Sequence, residues 1–136
     1  MGRITGGDLW RYAGFSISGR EMIELVEPLH WHVGGPEGET VITVPAGFRS
    51  DFASIPWGVR NLFPAFGPWA LAAILHDYLY LTEGEGGRWT RKFADEQFRE
   101  AMEAIAAARP DGQPPAWKRA IMYRAVRVGG AGGWGR

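Results

Sequence analysis

Residues 74–80 read ILHDYLY, a histidine and an aspartate side by side inside an apolar run. Apolar residues surround this pair from Trp69 to Leu81 with no polar face, so the stretch predicts a helix enclosed on all sides. On a wheel of about 100° per residue, Trp69, Ala72, Ala73, Leu79 and Tyr80 fall within about 60° of His76. Asp77 is turned about 100° away, among Ala70, Ala73 and Ile74. A carboxylate enclosed without partners is prohibitively costly, so something specific must hold Asp77.

Working outward, two further helices carry start signals. Thr90 precedes RKFADEQF, and Pro114 with Pro115 precedes AWKRAIMYRAV, which Gly129 closes as a cap; Pro68 after Gly67 opens the first helix. The N-terminal half reads differently. DLWRYAGFSI, EMIELVEPLHWHV and ETVITVPAGF are rich in aromatic and β-branched residues in rough alternation, separated by turn-forming SGRE and GGPEGE. Pro28 makes the second run an edge or bulged strand.

Strands followed by helices, with no strand-helix-strand alternation, predict an α+β fold: a small antiparallel β-meander packed against about three helices. The expected organisation is one domain over 1–136. Within it, residues 1–49 are strand-rich, 50–67 form an aromatic, proline-bearing connector, 68–128 are helical and 129–136 are a glycine-rich tail. Such a tail is flexible in an isolated monomer, so order there would point to an assembly.

The 136 residues carry fifteen basic and fifteen acidic side chains, which removes the broad positive field of a sequence-independent nucleic-acid binder; no nucleic-acid partner is expected. Without cysteine, any metal must be held by oxygen or imidazole. No signal peptide and no membrane span is expected, since no run approaches the ~18 apolar residues such a helix needs.

In the second helix Ala94, Phe98, Ala101, Met102 and Ile105 form the core stripe, and Asp95 lies about 20° from Met102 on the wheel. Packing the two helices together can therefore bring Asp95 to the imidazole of His76, orienting it as a general base. Asp77 stays available for a hard cation. The turn in FRSDFASIP adds Asp51 as a second metal candidate and Ser54 as a further catalytic candidate. Each has an ordinary alternative: a satisfied core histidine, an Asx-turn, a helix cap.

Trp57, Trp69 and Tyr80, with neighbouring aromatics, are either core or the lining of a groove for substrate. Arg119, Arg124 and Arg127, with Lys118, form a basic face that is either solvated or contacts an acidic partner or phosphate. His30 and His32 share one strand face, with Trp31 on the other, and could bite a zinc ion if a third ligand arrived through the fold.

Four blocks, TVPAGFRSDFASIP, AAILHDYLY, RKFADEQFREAM and WKRAIMYRAVRVGG, resemble in order the phage and prophage family called domain of unknown function 1353, from about Thr43 to Gly130. That resemblance implies a phage origin and no established activity. A local similarity links HDYLY and ADEQF to the helix pair of phospholipases A2. It implies His76 as general base, Asp77 as a calcium ligand and Asp95 as the residue orienting His76. The chain departs from that pattern in lacking cysteines and a glycine-rich calcium loop before the helix, and in its N-terminal half.

Two functional expectations follow. One is a virion- or tail-associated hydrolase, its cluster acting on an ester or amide of the cell envelope with a divalent cation such as calcium. The other is a non-catalytic phage structural protein in which the same cluster is a buried network. In either case other phage structural proteins are the expected partners, and the virion, or the host cytoplasm before assembly, the expected location.

Overall fold

The computed structural model describes residues 3–6, 12–17, 20–34, 40–50, 69–82 and 89–129. Six strands precede three helices among these: β1 (Arg3–Gly6), β2 (Tyr12–Ile17), β3 (Arg20–Leu25), β4 (Leu29–His32), β5 (Val41–Val44) and β6 (Arg49–Ser50), then α1 (Ala70–Thr82), α2 (Arg91–Ala108) and α3 (Ala116–Gly129). The fold is α+β, with antiparallel strands in the N-terminal half and helices in the C-terminal half.

The strands form two sheets where a single meander was expected, ordered β1-β4-β5 and β2-β3-β6. Pro28 explains the division. It has no N–H to extend a ladder, and the run 21–33 breaks there into β3 and β4, which sit in different sheets. The facing chain bends at the same level: β4 pairs with β5 and β3 with β6, and Pro45–Phe48 crosses between them. Leu25 N–H donates to Phe48 O at 2.9 Å and Gly47 N–H to Leu25 O at 2.7 Å, carrying the ribbon through the corner. Gly47 has φ +85°, a left-handed conformation that favours glycine. β1, in the segment MGRITG, was not expected as a strand; it pairs with β4, Ile4 opposite Trp31.

Alternation along the strands selects the inner face. Ile23, Leu25, Leu29, Trp31, Ile42 and Val44 are buried, while His30 and His32 face outward with partial exposure. α1 is buried continuously from Ala70 to Asp77 and again at Leu79 and Tyr80, as a helix without a polar face must be. It packs on α2 and touches β3, β5 and β6, so it is the axle of the described core. α2 begins where expected: Thr90 is extended and its hydroxyl accepts the Phe93 N–H at 3.0 Å. A buried polar bond ties β4 to α2, from Trp31 Nε1–H to Gln97 Oε1 at 2.7 Å.

Candidate functional site

α1 and α2 bring His76 and Asp95 together in the interior, each fully buried. His76 Nε2 lies 2.7 Å from Asp95 Oδ1, and the Tyr80 hydroxyl donates to the same oxygen at 2.6 Å. Tyr80 is one helical turn after His76, so both side chains leave the same face of α1. Ring packing fixes the imidazole, with the Tyr80 centroid at 4.2 Å and Phe98 at 4.7 Å. Because a carboxylate oxygen only accepts, the His76–Asp95 bond places a proton on Nε2.

The second Asp95 oxygen faces two arginines. Arg127 Nη1–H donates to Oδ2 at 2.8 Å, and Arg91, one turn before Asp95, reaches the same atom at 3.4 Å. Arg91 also forks to the end of α3, donating to Val126 O and Arg127 O at 3.1 Å each. Those carbonyls belong to the last helical turn, where partners within the helix run out and the dipole favours a cation. Asp95 thus accepts two donors on each oxygen, from all three helices. Among the described residues no buried side-chain polar atom lacks a hydrogen-bond partner.

Burial, followed by the adjoining Asp95 carboxylate, pushes the Tyr80 pKa strongly upward; the nearby Arg91 opposes this less effectively. Tyr80 therefore stays a hydrogen-bond donor through ordinary pH.

Asp77 belongs to a second cluster. It points to the strands, where Ser50 of β6 donates its hydroxyl to Asp77 Oδ2. Ser50, His76, Asp77 and Tyr80 each engage further partners as well. Asp51, Ser54 and Trp57 lie outside the described residues, as do most of the connector and the glycine-rich tail. Trp69 is buried at the start of α1. Among the described residues no group of three or more His, Cys, Asp or Glu side chains could hold a metal ion, around Asp77 or around His30 and His32. His30 Nδ1 instead lies 2.8 Å from the hydroxyl of its cross-strand neighbour Thr43.

Of the three arginines expected on one basic face, Arg127 turns to Asp95, Arg119 donates to Pro114 O at 2.6 Å, and Arg124 remains exposed. Sequence reasoning did not find Arg91, Arg127 or Ser50 as partners of the buried acids. The four-residue spacing from Arg91 to Asp95 was a usable signal. Arg127 and Ser50 reach their acids only through tertiary packing, which leaves no local trace. Among the described residues no helix is long and apolar enough to cross a membrane.

Chemically, the first cluster presents an imidazole held in orientation by its bond to a carboxylate that is itself immobilised. Comparison with curated proteins and with solved structures yields no match. The family model described as "Protein of unknown function (DUF1353)" matches residues 23–126, from within β3 to near the end of α3, and the chain belongs to that family.

Proposed function

We propose that this chain is a hydrolase of phage or prophage origin that cleaves an ester or amide of the cell envelope, with His76 as general base. The observation carrying the proposal is the 2.7 Å bond from His76 Nε2 to an Asp95 oxygen that Tyr80 also holds. Nδ1 removes a proton from water as the water oxygen attacks the carbonyl carbon. The same proton passes to the departing alkoxide or amine when the carbonyl–heteroatom bond breaks. Asp95 holds the ring and faces the charge it gains; Tyr80 and Arg127 hold Asp95. No three metal-ligating side chains gather around Asp77 among the described residues, and no step of this reaction is routed through a cation. The phage setting rests on the family resemblance, and in a tail-associated virion protein the reaction would act on the host envelope.

A second reading has its own support: His76 and Asp95 have 0% side-chain exposure, and both Asp95 oxygens are already occupied. Under that reading the cluster is a lock joining three helices in a structural phage protein. The deciding experiment assays purified protein on phospholipid and peptidoglycan substrates beside His76→Gln, with folding of both checked by circular dichroism. Hydrolysis that falls by about a hundredfold or more in a folded His76→Gln protein supports the base. Full activity in that variant refutes it, and an inactive wild type leaves the structural reading standing.

A further inference from the structure

Helix α3 has two apolar lines where its packing uses one. Met122 and Val126 are its buried residues and face the core. On the wheel Trp117, Ile121 and Val128 fall within about 40° of one another on the opposite side. They are 58%, 42% and 88% exposed, three of the six large apolar side chains exposed among the described residues. Arg124 lies within about 20° of Trp117 and Lys118 about 100° to the other side. The helix sequence AWKRAIMYRAVRVG has four basic residues and no acidic one, in a chain whose net charge is zero.

We infer that α3 is the surface by which the protein rests on an anionic phospholipid layer, as a peripheral protein and without crossing it. An exposed apolar line flanked by cationic side chains is the pattern of a helix lying in the plane of a headgroup region. Tryptophan favours that region, where its ring is half in hydrocarbon and its N–H stays wet. Lys118 Nζ lies 5.5 Å from the Trp117 ring centroid, which keeps its positive charge beside the indole. Arg124 makes no ion pair among the described residues, and it can reach up from the apolar line.

Charge selects this occupant over a second copy of the chain. Two α3 faces brought together would set arginine and lysine against arginine and lysine with no acid from either helix to offset them. Shape selects it over an acidic protein. Trp117 and Val128 are eleven residues apart, about 16 Å along the axis, so the line is long, straight and convex. A planar layer meets all of it at once. The inference goes beyond the hydrolase proposal and does not depend on His76.

The test is co-sedimentation of the full chain with vesicles of mixed phosphatidylcholine and phosphatidylglycerol, and with phosphatidylcholine alone, at low and moderate salt. Binding is expected to the mixed vesicles only and to weaken with salt. Arg124→Glu should weaken it roughly thirtyfold, since each basic charge at such a surface strengthens binding about fivefold and reversal counts twice. Trp117→Ser should weaken it about tenfold. Leu81→Ser, at an exposed apolar residue on α1, should leave it unchanged. All three positions are exposed, so circular dichroism should show native folding. Absence of binding to the mixed vesicles overturns the inference, as does equal weakening by Leu81→Ser. So does a dimer in solution that Ile121→Glu dissociates, or capture of an acidic protein through Trp117 and Arg124 without vesicle binding.

Discussion

Replacing Asp95 by asparagine keeps the shape of the buried side chain and removes its charge. In the native protein one oxygen accepts from His76 and Tyr80 and the other from Arg127 and Arg91. An amide presents a single oxygen, so whichever way it turns, its NH2 group faces donors. If the oxygen stays with His76 and Tyr80, the amide N–H points at the Arg127 guanidinium. If it turns over, Tyr80 must rotate its hydroxyl and His76 must change tautomer. Breaking a buried ion pair on one side costs about 3–5 kcal/mol. Arg91 and Arg127 retain 23% and 30% exposure and can recover some water, which places the expected loss near the lower end, about 3 kcal/mol. With a urea m-value of about 2 kcal/mol/M, that is a fall of roughly 1.5 M in the unfolding midpoint at unchanged slope. Equilibrium urea unfolding followed by far-UV circular dichroism measures it. A loss below about 1 kcal/mol, the size of an exposed pair, would refute the claim that Asp95 is the junction of the three helices.

Other perturbations separate the contributing bonds. Tyr80→Phe removes one donor to Asp95 Oδ1 and should cost about 1–2 kcal/mol in the same unfolding measurement. Because the folded Tyr80 pKa is raised, its contribution is complete below the unfolded tyrosine value of about 10 and is lost as pH rises towards the higher folded value. Wild-type stability should therefore fall by about 1.4 kcal/mol per pH unit from this group above pH ~10, and Tyr80→Phe should lack that component. Gln97→Leu leaves the buried Trp31 indole N–H without its acceptor and should cost about 1–3 kcal/mol, with a shift in tryptophan fluorescence. Thr90→Ala removes the acceptor for the Phe93 N–H and should cost about 1 kcal/mol, read as a lower thermal midpoint.

What could be read before the structure follows the range of the forces involved. The enclosed character of α1 was visible because nearly every residue from Trp69 to Leu81 is apolar, and the inward turn of Asp95 because the α2 stripe has a clean helical period. Thr90 announced the start of α2 through its own side chain. The division into two sheets was not visible: Pro28 marked a break, but the paired bend at Pro45–Phe48 is a property of two segments together. β1 was missed because RITG is short and glycine-bounded, and it exists through its pairing with β4. At the site, the His76–Asp95 meeting followed from two helix faces. Arg127, thirty-two residues from Asp95, and Ser50, twenty-seven from Asp77, are long-range partners that no periodicity encodes.

The central claim is that Asp95 holds His76 through a proton on Nε2, and the proposed base chemistry further requires Nδ1 to accept one. Nitrogen-15 NMR of the His76 imidazole in the folded protein tests it directly. The account predicts a proton on Nε2, none on Nδ1, and loss of that tautomer preference in Asp95→Asn. A proton on Nδ1 with Nε2 bare would contradict both the hydrogen bond to Asp95 and the role of His76 as a base.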